Sequence, residues 1–186
     1  MQTKFKAILL AMTLLVSSGS ALADDNFWLW LVNFSRQKEV KPVDKWFKVY
    51  SDECGSCHYA YPPGLLPSKS WEKLLNEKAL SEHFGENATL DKDTLKAIHD
   101  YAIENAADKS YYKRSRKIAL ATEGIDAPLR ITEVTYIKRK HHDIPEKMIK
   151  GNKDVKSLSY CNACHTKADK AIFDNDTVSI PNYPDY

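Results

Sequence analysis

Cys54-Gly55-Ser56-Cys57-His58-Tyr59-Ala60-Tyr61-Pro62-Pro63-Gly64-Leu65-Leu66-Pro67 is the stretch that decides the fold of this chain. Its first five residues read C-x-x-C-H, and the pattern returns as Cys161-Asn162-Ala163-Cys164-His165. These are the only 4 cysteines among 186 residues. C-x-x-C-H is the attachment pattern of c-type haem. Two thiols three positions apart lie near one face of a helical turn, where each can form a thioether with one haem vinyl group. The adjacent histidine then presents its imidazole to the iron. Structural disulfides, a four-cysteine zinc site and a thiol–disulfide oxidoreductase also use such pairs, but none needs a histidine after both. With 6 histidines in 186 residues, that double coincidence arises by chance about once in a thousand. The separation of the two pairs is also far longer than in zinc ribbons. The pattern predicts two covalently bound haem c groups, held by Cys54, Cys57, Cys161 and Cys164, with His58 and His165 as proximal iron ligands.

A six-coordinate haem needs a second axial ligand, usually Met or His. The methionines are Met1, Met12 and Met148. The first two fall in an N-terminal leader, so at least one haem has no Met ligand. The remaining histidines are His83, His99, His141 and His142. The i, i+4 stripe Trp71, Leu75, Ala79, His83 predicts a helix over 70–84 that turns His83 inward, with Gly85 as its C-cap. A second helix is expected over 91–106, with Leu95, Ile98, Ala102 and Ile103 as its apolar face. His99 lies beside that face and next to Asp100, which suits a partly exposed structural role. His141 and His142 sit in Lys138-Arg139-Lys140-His141-His142-Asp143-Ile144-Pro145, where Pro145 restricts Ile144. Adjacent residues point different ways, so one of this pair is expected to bind iron. The alternatives are a core histidine at position 83 and a solvated basic cluster at 141 and 142. Residues 131–137 read as a strand or extended piece.

Residues 1–23 read as a secretory signal peptide. Lys4 and Lys6 supply its charged start, an apolar run covers 7–16, and Ala21-Leu22-Ala23 fits a cleavage site. That run is too short to span a bilayer. A second apolar stretch, Phe27 to Val32, is set apart by Asp24-Asp25-Asn26, which favours cleavage over an uncleaved anchor. The mature chain is therefore expected in the periplasm without a membrane span. The 27 basic and 25 acidic residues give no field that points to nucleic acid. Apolar residues at 43% and charged ones at 28% exclude a disordered, collagen-like or multi-span membrane chain.

The residues Cys54 to Pro67, Ser70-Trp71, His83-Phe84-Gly85, Arg130-Ile131-Thr132, Lys140-His141, Ile144-Pro145 and the second C-x-x-C-H resemble the periplasmic dihaem cytochrome c family. Haem-binding helix, ligand loop and closing helix also resemble, in that order, the parts of a class I cytochrome c. The expected fold is mainly α. After the leader come a class I-like haem domain over 24–108 and a smaller, irregular C-terminal haem domain over 109–186. Each is too small for a generous apolar core, and haem would complete it. The resemblance implies His83 and His141 as distal ligands, with His142 as the alternative to His141. It implies an electron carrier rather than an enzyme, working with a soluble monohaem cytochrome c and a membrane cytochrome b or quinol-linked donor. Bis-His ligation favours a low potential relative to His/Met. Lys109, Lys113, Arg114, Arg116 and Lys117 would compensate haem propionates or dock an acidic redox partner. A different class stays open, in which one haem has an open or exchangeable distal position and serves as a gas-binding sensor or small reductase.

Overall fold

Eight short α-helices and a set of 3-10 turns carry the described residues of the computed structural model, 40–43 and 47–186. The leader 1–23, the aromatic stretch 27–34 and Trp46 lie outside them. In chain order the helices are α1 (Lys48–Gly55), α2 (Ser68–Leu74), α3 (Glu77–Ser81), α4 (Lys92–Glu104), α5 (Lys113–Ala121), α6 (Thr135–Lys140), α7 (Glu146–Ile149) and α8 (Cys161–Cys164). Extended pairing among the described residues is limited to three bridges, His83 with Glu86, His165 with Val178 and Ile180 with Tyr183. All described residues fall in one compact unit, Asn33–Tyr186. No helix among them is long and apolar enough to cross a membrane.

The longest helix forms where apolar residues recur at helical spacing. Leu95, Ile98, Tyr101 and Ala102 bury one face of α4. The Asp91 carboxylate caps it by accepting from the Asp93 and Thr94 N–H groups at 3.1 and 3.0 Å, which answers two of the donors a helix start leaves free. Tyr101 stacks on Phe47 at 4.4 Å and leans on Tyr50 of α1 at 5.2 Å. The first haem motif therefore leaves a helix already held by an aromatic cluster. Beyond it the chain cannot stay helical, because Pro62 and Pro63 restrict the backbone. It turns instead through Pro63–Leu65, fixed by Tyr50 Oη donating to the Tyr61 carbonyl at 2.6 Å and Trp71 Nε1 donating to the Pro63 carbonyl at 2.9 Å. Leu65, Leu66, Trp71, Ile98 and Ile118 meet in the main apolar cluster, each contributing about 2–3 kcal/mol by burial. Met148 lies in a smaller cluster with Val155 and Ile180.

Two sequence expectations are corrected. The helix over 70–84 is broken at Leu75-Asn76, giving α2 and α3. Asn76 is the reason: its Oδ1 accepts from the Ala79 N–H at 3.0 Å and its Nδ2 donates to the Lys73 carbonyl at 3.0 Å, starting one helix and ending the other. His83 therefore leaves α3 into a tight turn, with Phe84 at φ 56° and Gly85 at φ 100°. The extended piece over 131–137 is a 3-10 turn, Ile131–Glu133, followed by α6. Its β-branched residues favour a strand only against a pleated neighbour, and no strand lies beside it among the described residues. Helical spacing instead buries Ile131, Val134 and Tyr136.

Gly64 marks a close approach of backbone to α5. A Cβ there would meet Ser115 Oγ at 2.5 Å and Val40 Cγ1 at 3.1 Å. Gly64→Ala is expected to destabilise the protein by about 1–3 kcal/mol, read as a lower denaturation midpoint at unchanged slope.

Candidate haem sites

The two C-x-x-C-H motifs reach their geometry by different routes. Cys54 lies in the last turn of α1, while Cys57 and His58 follow its end. The second motif is itself a single turn, α8, closed by His165 N donating to the Cys161 carbonyl at 2.8 Å. The C-terminal segment ties that turn down, with Ser179 N donating to the Cys164 carbonyl at 2.9 Å and His165 bridged to Val178. All four cysteines are free. Burial pushes the Cys54 and Cys161 thiols up to about 12 and raises Cys164 as well. Such thiols are the opposite of the low-pKa thiolates that thiol–disulfide exchange requires.

Four of the candidate histidines meet in two facing pairs. His58 and His83 have ring centroids 6.4 Å apart with planes at 20°. His141 and His165 have centroids 6.0 Å apart with planes at 77°. Two metal–imidazole bonds of about 2 Å in line, plus the depth of each ring, put centroids about 6.3 Å apart. The tautomers suit the same role. His58 Nδ1 lies 2.8 Å from the Tyr59 carbonyl, and His141 Nδ1 lies 2.9 Å from the Ile137 carbonyl. A carbonyl only accepts, so Nδ1 carries the proton and Nε2 keeps a lone pair. The Nδ1 atoms of His83 and His165 are buried without a hydrogen-bond partner. Burial, then the facing His58, then Arg130 hold His83 below the usual histidine range. Burial, His141 and Arg114 bring His165 down to about 4. Neutral imidazole is the form that binds a metal. These donors fit an iron porphyrin at both positions.

The other two histidines are turned elsewhere. His142 is 65% exposed, with Nδ1 on the Arg139 carbonyl at 2.8 Å and Nε2 on Asp143 at 3.0 Å, so both nitrogens are engaged. His99 is half-buried on α4 with Nδ1 directed at Asp100.

A cavity of about 560 Å³ opens beside His141, His165, Cys161 and Cys164, within the size range of cofactor pockets, about 300–1,000 Å³. Lys113, Arg114, Lys117 and Lys140 line it. Arg114 is buried and donates to the Tyr136 hydroxyl and the Phe173 carbonyl, both at 3.3 Å. Gly55 to Ala60 of the first motif share a second hollow with Tyr160 and Asn162 of the second. Two tyrosines span the motifs. Tyr59 Oη donates to the Ala168 carbonyl at 2.6 Å, and Tyr61 Oη donates to the Ser159 carbonyl at 2.7 Å. The Tyr61 ring also stacks on His58 at 4.9 Å and lines the larger cavity. Sequence reasoning assigned no role to either residue, since both bonds join positions far apart in the chain. Tyr61→Phe leaves the ring stack and strands the Ser159 carbonyl. A loss of about 1 kcal/mol is expected, measured by denaturation of the haem-loaded protein.

A family model described as dihaem cytochrome c matches residues 50–173. A dihaem cytochrome c from Shewanella baltica OS155 is 39% identical, covers 72% of this chain and 92% of its own, and superposes with a TM-score of 0.58. Two structures of dihaem cytochrome c from Rhodobacter sphaeroides are similar at 37% and 36% identity. They cover 72% of this chain and 99% and 100% of their own, with TM-scores of 0.59 and 0.54. No curated protein matches the chain. Two attachment motifs, a mainly helical fold and these likenesses together place the chain in the dihaem cytochrome c family, as an electron-transfer protein with two covalently bound c-type haems.

Proposed function

We propose that the protein is a periplasmic electron shuttle with two low-potential bis-His haems. Cys54 and Cys57 hold the first, with His58 and His83 as axial ligands. Cys161 and Cys164 hold the second, with His165 and His141. The observation that carries this reading is the pair of facing imidazoles at 6.4 and 6.0 Å. Each haem supplies a one-electron ferric/ferrous couple. The chain's own residues fix what that couple can do. Backbone carbonyls orient His58 and His141, so their Nε2 lone pairs stay available. With His58 and His83 holding one iron and His165 and His141 the other, no position would be left for a substrate, which would make the protein a carrier rather than an enzyme. Imidazole nitrogen stabilises ferric iron relative to thioether sulfur, which lowers the potential. His141 is assigned over His142 because both nitrogens of His142 already have partners.

The division into haem-bearing regions 24–108 and 109–186, and export through the signal peptide 1–23, belong to the same reading. So do its proposed partners, a soluble monohaem cytochrome c and a membrane cytochrome b or quinol-linked donor. Lys113, Lys117 and Lys140 beside the larger cavity give an acidic redox partner a face to meet, and weak, fast association of that kind suits electron transfer.

The test is the visible spectrum of the matured protein, oxidised and reduced, with and without carbon monoxide. Two c-type haems, low-spin in both states and indifferent to carbon monoxide, are expected. His83→Ala and His141→Ala should each convert one haem to a high-spin form that binds carbon monoxide, and His142→Ala should change neither. Near-parallel ligand planes split the iron dπ orbitals widely and near-perpendicular planes leave them close in energy. The ferric protein should therefore show two distinct low-spin electron paramagnetic resonance signals. Rapid carbon monoxide binding to one haem of the unaltered protein would shift the reading to a gas sensor or small reductase.

A further inference from the structure

Phe84 has no part in the chemistry described so far and Arg130 enters it only through its charge near His83, yet the two side chains meet beside His83. The Arg130 guanidinium carbon lies 3.8 Å from the centre of the Phe84 ring. The Phe84 ring in turn leans on the His83 ring at 4.8 Å and 59°. Guanidinium, phenyl and imidazole thus form one chain of side-chain contacts that ends on the pair His83 and His58. Two features make these contacts informative. Phe84 is 43% exposed, so burial in a core does not account for its position. It also holds a φ of 56°, followed by Gly85 at 100°, a conformation that a large side chain adopts only when its surroundings require it. The backbone of the turn is held by Glu86 N donating to the His83 carbonyl at 3.2 Å and by Ala88 N donating to the Leu80 carbonyl at 2.9 Å, neither of which reaches the His83 ring. His83 Nδ1 makes no hydrogen bond, whereas His141 has its ring tied to a helix carbonyl. Arg130 comes from the segment before the Ile131–Glu133 turn, where Glu133 lies 3.8 Å from its Nε and steadies it.

We propose that Arg130 is a positioning residue for the first haem, acting through Phe84 as a latch that holds the His83 turn against the iron. The inference rests on His83 being the distal ligand. Detachment of His83 breaks one iron–nitrogen bond and opens one coordination position, with no change in oxidation state and no proton transfer. The side-chain contacts oppose that detachment, and an exposed to partly desolvated cation–π contact of this kind is worth a factor of about 2 to 30 in such an equilibrium.

The experiment measures carbon monoxide binding to the dithionite-reduced, haem-loaded protein, together with the ferric electron paramagnetic resonance spectrum. The variants are His83→Ala, Arg130→Met, Arg130→Lys, Phe84→Leu and the double variant Arg130→Met/Phe84→Leu. His83→Ala supplies the spectral signature of an opened first haem. The latch predicts that Arg130→Met and Phe84→Leu each raise the rate of carbon monoxide entry at that haem by about 2- to 30-fold. It also predicts that they disturb the near-parallel ferric signal alone, that Arg130→Lys largely restores the original behaviour, and that the double variant exceeds neither single one by much. The near-perpendicular signal of the second haem should stay unchanged, which a general loss of stability would not allow. If His83→Ala opens its haem while Arg130→Met and Phe84→Leu behave like the unaltered protein, the latch is overturned and the ligand assignment survives. If His83→Ala leaves both haems low-spin and closed, the ligand assignment falls and the latch falls with it. Should Arg130→Met fail to accumulate, Phe84→Leu decides by the same two readouts.

Discussion

The proposed haem ligation depends on holding the two imidazoles of each pair a metal's width apart. The requirement is severe, because two histidine rings at about 6 Å repel when protonated and have no attraction of their own when neutral. Burial and the facing histidines keep His83 and His165 below their ordinary protonation range, so these two rings stand as neutral donors. The free energy that keeps them there comes from elsewhere: the aromatic cluster behind α1, the proline-rich turn, the carbonyls that fix the rings, and iron bonding itself. A chain of short helices can meet such a demand only if each ring is fixed locally. The tautomers of His58 and His141 show how, since each Nδ1 is occupied by a carbonyl one or four residues away.

The two sites solve the problem with different materials. His58 follows a helix end and His165 closes a one-turn helix, so the placement of both is a local consequence of C-x-x-C-H. The two histidines proposed as distal ligands are not alike. His141 caps α6 and bonds back into it. His83 stands on a turn with positive φ at Phe84 and Gly85, with its Nδ1 free of hydrogen bonds and its ring packed against Phe84. The pairs also differ in plane angle, 20° against 77°, so on the proposed ligation the two irons would be inequivalent in ligand field even with the same ligand set.

Legibility in the sequence followed range. The family and its two covalent haems were readable because the spacing of C-x-x-C-H is the chemistry. The α4 helix was readable because Leu95, Ile98 and Ala102 repeat at its period and Asp91 caps it. The break at Asn76 was missed because the apolar stripe through Trp71, Leu75 and Ala79 runs across it, and an asparagine side chain outcompeted the helix backbone for hydrogen bonds. Residues 131–137 were misread because β-branched residues suggest a strand whether or not a partner strand exists. Tyr59, Tyr61 and Arg130 stood in the motifs without a role, for each works through a contact with a distant segment that no local pattern encodes.

Range also governs how the sites respond to disturbance. A ligand fixed by its own helix moves only if that helix unravels, which involves several backbone hydrogen bonds at once. A ligand fixed by side chains from another segment can let go while the fold stays intact, because local opening needs only the few contacts that cross the gap. His83 is of the second kind and His141 of the first. On the proposed ligation the first haem would thus have the more separable sixth ligand, although both would carry imidazole on either side. Any adjustment of ligation without unfolding would begin at the Phe84 turn, where a positive φ and an exposed aromatic ring meet a cation from across the chain.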